Sequence, residues 1–177
     1  ILGVEPVLDC PDDVATATIE KDVYLIQDTL VSTDPTIVAV NFACYADLVS
    51  TPPGIHNFHL DTFTVDQDGI YVFEGIGEFG KLAATIYEME FDPANGPCNN
   101  IMASSQDIPL GEGYYPTEPD AVRINVQLHE GTQYILFTLP HDPGQLGAYE
   151  WAVWGMDGGG VVGLDSIPTV LQLPLFC

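Results

Sequence analysis

Apolar and polar positions alternate over short runs that end in Gly, Pro, Asn or Asp, and no helical period persists for three turns. The clearest run is Val122 to Leu128, in which Val122, Ile124, Val126 and Leu128 share one side while Arg123, Asn125 and Gln127 share the other. That alternation predicts a half-buried strand. Glu130-Gly131 follows as a turn into the apolar run Gln133 to Leu139, so the two runs are expected to form a hairpin. The same reasoning takes Phe58 to Val65 through Asp66-Gln67-Asp68-Gly69 into Ile70 to Glu74, and adds Ala83 to Phe91 and Gly147 to Trp154. Earlier strands are expected at Ala15 to Ile19, Val23 to Leu30 and, shorter, Ile37 to Cys44. About eight or nine strands suit two packed sheets. The expected class is therefore all-β, an antiparallel two-sheet sandwich of jelly-roll-like form.

Both ends carry strand-like rows of their own. Leu2, Val4 and Leu8 share a side near the start, and Leu171, Leu173 and Leu175 alternate with Gln172 and Pro174 near the finish. Between the body and this last row lies Gly158-Gly159-Gly160, which reads as a hinge. The expected layout is an N-terminal extension over 1–13, a sandwich over 14–157, and a hinge with a C-terminal strand over 158–177. Such rows have two readings. They are the first and last strands of a closed sandwich, or they leave it and complete the sheet of the next copy, where main-chain bonding supplies affinity and alternate side chains fill a groove. Head-to-tail contacts of the second kind do not close and build filaments.

Charge narrows the list of partners. Among 177 residues, 26 are Asp or Glu and only 3 are Lys or Arg, for a formal net charge of -23. Lys21, Lys81 and Arg123 stand singly, so no basic stripe exists for the phosphates of DNA or RNA. No apolar run reaches the roughly 20 residues that span a bilayer, so membrane insertion is not expected. Cys10, Cys44, Cys98 and Cys177 lack the close paired spacing of a zinc knuckle or redox dithiol. An even, dispersed set reads as two disulfides in an oxidising compartment, with three connectivities open, some of them between copies. The chain begins at Ile1, which reads as a mature secreted protein.

Candidate chemistry is sparse. His56, His59, His129 and His141 read as surface or loop histidines, and no serine has the flanking glycines of a nucleophile elbow. Calcium takes oxygen ligands, and the best local carboxylate groups are Asp9, Asp12 and Asp13, and Asp66 with Asp68. Neither is an EF-hand loop, and each has a plainer reading as solvated linker or Asp-Gly turn. Tyr114 and Tyr115, flanked by Gly and Pro, are the expected exposed platform for a glycan, whereas Trp151 alternates with Tyr149 and Val153 and is expected in the core.

Several stretches carry a family resemblance. They are Ser32-Thr33-Asp34-Pro35-Thr36, Asp61 to Val65 with Asp68-Gly69-Ile70-Tyr71, and Ile86-Tyr87 followed by Phe91-Asp92-Pro93 and Pro97-Cys98-Asn99-Asn100. Val126-Gln127-Leu128 with Gly131-Thr132-Gln133-Tyr134, and Gly147-Ala148-Tyr149, complete the set. Together they resemble the bacterial pre-peptidase C-terminal domain and its jelly-roll-like relatives. That resemblance implies a non-catalytic accessory role in secretion, attachment or surface assembly, with the expectation here that no enzyme domain accompanies it. The reading for function is a secreted structural subunit, assembled from copies of itself into a bacterial surface filament or adhesive appendage. The alternative is an accessory module that binds carbohydrate or calcium.

Overall fold

A computed structural model describes residues 16–39, 51–91, 100–162 and 166–174, with side-chain surroundings for 22–38, 51–91 and 100–162. The described residues form thirteen strands and no helix. In chain order these are β1 (Thr16–Leu30), β2 (Thr36–Ala39), β3 (Gly54–Asn57), β4 (His59–Val65), β5 (Gly69–Gly77), β6 (Leu82–Glu88) and β7 (Ile101–Ser104). They continue with β8 (Gln106–Asp107), β9 (Val122–Leu128), β10 (Tyr134–Pro140), β11 (Gly147–Gly155), β12 (Val161–Val162) and β13 (Ser166–Pro174). One sheet has the order β13-β1-β11-β5-β9-β8, the other β12-β4-β10-β6-β7, and β2 pairs with β3. Every pairing is antiparallel, and the architecture is the expected β-sandwich. The strand count exceeds the expectation because short pieces such as β7, β8 and β12 lack a readable alternation. Two expected early strands also fuse into the single β1.

Neither expected hairpin forms. β9 pairs with β5 and β8, whereas β10 pairs with β4 and β6 in the opposite sheet. β4 and β5 likewise lie in different sheets. Burial explains the separation. On β9 only alternate residues are buried, as the sequence predicts, but on β10 all but Ile135 are. β10 must be covered on both faces: Tyr134 and Leu136 enter the core between the sheets, while Phe137 and Leu139 join an outer cluster with Phe58, Ala83 and Tyr87. A strand apolar on both sides belongs in the middle of a sheet, and β10 lies between β4 and β6. The two connections therefore cross between the sheets and support each other. Asp68 accepts the Glu130 N–H at 2.7 Å, and the Gly131 N–H reaches Val65 O at 3.0 Å.

Phe63, Phe73, Tyr71, Ile86, Ile124, Leu128, Leu136 and Trp151 are all buried in the central core. Trp151 sits there as expected, with Tyr149 and Val153. Its indole N–H crosses between the sheets to Thr138 Oγ1 at 3.1 Å, satisfying a donor that would otherwise be costly to bury. Opposite it in the ladder is Gly75, where a Cβ would fall 2.6 Å from the indole ring. The ring occupies the space that any larger residue would need.

The glycine run has similar packing. Gly159 and Gly160 are buried, and a Cβ on them would lie 2.2 Å from the Tyr71 hydroxyl and 2.5 Å from the Tyr24 hydroxyl. Asp66 Oδ1 accepts the Gly160 N–H at 2.6 Å. The end of the body is thus fastened beneath two tyrosines, one of which, Tyr71, has its hydroxyl pushed up to about 12 by burial and by nearby Asp66.

Candidate functional site

Two places merit a functional reading. The first is the terminal ribbon. β1 runs for 15 residues, and its second half, Tyr24 to Leu30, pairs with Tyr149 and its neighbours on β11. Its first half pairs with β13, from Thr16 opposite Pro174 to Tyr24 opposite Ser166. Among the described residues no other strand pairs with Thr16 to Val23. The ladder sets Ala17 opposite Leu173 and Ile19 opposite Leu171, in phase with Val23, whose side chain is buried. Pro168 and Pro174 are an even number of residues apart, so their ring nitrogens face the same side of β13. A ladder that keeps its bonds to β1 turns both nitrogens outward, leaving the other edge of β13, which no described strand covers, short of donors and poor at recruiting another strand. Leu171 and Leu173 therefore belong to this ribbon. Leu2, Val4, Leu8, Leu175 and all four cysteines lie outside the described residues, as do Asp9, Asp12 and Asp13.

The second place is the outer face of the sheet that holds β11. Near its centre Val23, Val72, Ala152 and Trp154 form a buried apolar cluster, covered by the loop that carries Tyr114 and Tyr115. The two tyrosines are half-buried rather than projecting: their rings meet edge to face at 4.8 Å, and Tyr114 lies 6.4 Å from Trp154. An outward-facing apolar row on β1, β5 and β11 draws the loop down. What latches it is Glu74, fully buried, whose carboxylate accepts the Tyr114 N–H at 2.5 Å and Arg123 Nε and Nη2 at 2.8 and 2.5 Å. Trp154 Nε1 is buried beside this loop without a hydrogen-bond partner.

Beyond the loop the same face opens into a cavity of about 510 Å3, lined by Gln27, Asp28 and Thr29 of β1, Ile76 of β5 with Glu78 just after it, and Ala148, Tyr149 and Glu150 of β11. Glu150 is fixed in place, its Oε1 accepting the Tyr115 hydroxyl at 2.6 Å and its Oε2 accepting from Gln27 Nε2. Burial first, then the hydrogen bond to Glu150, hold the Tyr115 proton far above the ordinary phenol range.

At the rim, side chains from both sheets converge on His59. Its Nε2 is 3.0 Å from Asp34 and its Nδ1 is 3.3 Å from Asp28 and 3.0 Å from the Tyr149 hydroxyl. The Tyr149 hydroxyl also donates to Asp61 at 3.4 Å. Desolvation raises the Asp61 pKa, with the His59 charge opposing it. Sequence reading placed these histidines at the surface, and the structure corrects that for two of them. His56 is fully buried, its ring bridging the carbonyls of Pro140 and Pro52, and His59 is the centre of a polar clamp. Isolated histidines in short strands give no signal of burial, because their partners come from remote strands. Asp66 and Asp68 are each engaged with a main-chain N–H of a different loop, Gly160 and Glu130. The described residues contain no group of three or more His, Cys, Asp or Glu placed to hold a metal ion, and no helix long and apolar enough to cross a membrane.

No family model matches the sequence, and neither a curated protein nor a solved structure is significantly similar to it.

Proposed function

We propose that the protein is a non-catalytic, secreted structural subunit that joins copies of itself head to tail through exchanged terminal strands, forming a bacterial surface filament or adhesive appendage. The observation that carries this reading is the ribbon. Thr16 to Val23 have β13 as their strand partner among the described residues. A main-chain ladder has the same bonds whether its second strand comes from the same chain or from another, so β13 of one copy can replace that of the next. The outward prolines disfavour simple edge-to-edge stacking and leave replacement as the productive route. Cys10 precedes Thr16 by six residues and Cys177 follows Pro174 by three, so both stand beside the same end of the ladder in sequence. A disulfide there, in an oxidising compartment, locks an exchanged strand in place. The accessory and assembly role implied by the resemblance to pre-peptidase C-terminal domains agrees with this reading.

Sedimentation of the native chain without reductant tests it. A concentration-dependent series of polymers that disappears when residues 166–177 are removed supports the proposal. A monomer at every concentration overturns it.

A further inference from the structure

We propose that the cavity among β1, β5 and β11 is a binding site for a neutral oligosaccharide, independent of strand exchange. Its lining combines what a sugar needs. Ile76 and Ala148 offer apolar surface for a pyranose C–H face, while Gln27, Thr29, Glu78 and Glu150 supply an amide, a hydroxyl and carboxylates for its hydroxyls. Glu150 is held from two sides by Tyr115 and Gln27, so an acceptor for paired sugar hydroxyls is ordered before the ligand arrives.

The alternatives fit less well. An anionic ligand would meet Asp28, Glu78 and Glu150 with no Lys or Arg in the lining. For a cation, the carboxylates are not converging free ligands. Both oxygens of Glu150 already accept donors, Asp28 Oδ1 accepts the Thr29 N–H at 2.7 Å, and Asp28 Oδ2 faces His59. Each of these oxygens keeps a lone pair for a neutral hydroxyl donor, the kind a sugar presents. The cavity is open to solvent along the sheet, a shape that admits part of a chain rather than enclosing a small molecule.

Isothermal titration of the full chain with maltohexaose, cellohexaose and xylohexaose tests the site, with spermidine as the cationic probe. At least one hexaose is expected to bind saturably while spermidine does not. Thr29→Trp, which fills the cavity from an exposed position, and Gln27→Ala, which frees one side of Glu150, should each weaken that binding about tenfold or more, the loss expected when a hydrogen bond to a charged group goes. Both variants should retain the native melting transition and the native sedimentation profile, which separates this site from the ribbon. Binding of none of the three hexaoses, hexaose binding unchanged by Thr29→Trp, or tighter binding of spermidine than of any hexaose would overturn the proposal.

Discussion

The sandwich body and the terminal ribbon are built from the same antiparallel ladder, yet they are held by different forces. In the body, β5 and β11 each pair on both sides, and alternate side chains lie in the core between the sheets. Displacing such a strand exposes apolar surface and breaks two ladders together. In the ribbon, Thr16 to Val23 have β13 as their strand partner among the described residues, and Val23 at its inner end is buried against Val72, Ala152 and Trp154 of the body. An isolated two-stranded ribbon is marginal in water. The comparison teaches that packing fixes the body, whereas the ribbon is seen through its main-chain ladder, the feature that the proposed strand exchange would use.

Breaking the body should be costly in proportion to burial. The largest effect is expected from Arg123→Ala, which leaves Glu74 charged, fully buried and without its guanidinium; stability should fall by about 3–5 kcal/mol in urea unfolding. Adding Glu74→Gln to that variant should recover part of the loss. Gly75→Ala comes next. Its new methyl meets the Trp151 ring, an overpacking that costs about 1–3 kcal/mol and should appear as a lowered melting temperature. Thr138→Val keeps the volume but strands the Trp151 N–H, at about 1–3 kcal/mol, and the near-ultraviolet circular dichroism of the indole should change with it.

Smaller changes sharpen the contrast. Burial raises the pKa of Asp61 in the folded chain, so the fold favours the neutral carboxyl, and its ionisation at neutral pH opposes folding. That penalty is absent below the unfolded pKa and sets in as pH rises through the folded pKa. Asp61→Asn keeps an acceptor for the Tyr149 hydroxyl and should stabilise the protein at pH 7 by about 0.5 kcal/mol, the scale of mild substitutions. Melting curves of the two proteins should converge as pH falls into the carboxylate range. Last, removing residues 166–177 takes away β13 and leaves every other described pairing in place, so the body should still unfold in a cooperative transition by circular dichroism. The same deletion should abolish polymers.

Where alternation was clean, the sequence revealed the strand and its buried face. Val122 to Leu128 and Tyr149 to Trp154 adopt the faces their pattern predicts. Partnership was not legible. Asp66 to Gly69 and Glu130-Gly131 have the residues of hairpin turns, but whether such a turn closes a hairpin or crosses a sandwich depends on how many faces of the next strand need cover. That is decided by Phe58, Ala83 and Tyr87, far away in the chain. The cavity was hidden for the same reason. Gln27, Ile76 and Glu150 read as unremarkable strand positions and meet only because β1, β11 and β5 are neighbours in one sheet. Tyr115, singled out from its loop, leads to that cavity through Glu150. The C-terminal row was legible as a strand, and its partner in β1 was not.

A cysteine trap across the ribbon probes strand exchange most directly. Thr18 and Gln172 stand opposite each other, so a chain carrying Thr18→Cys and Gln172→Cys can form a disulfide across that pair. Oxidised at increasing concentration beside the unaltered chain, it should give an added ladder of covalent multimers on a non-reducing gel. A product of single-chain size at every concentration, with the new disulfide mapped within one copy, would contradict the account.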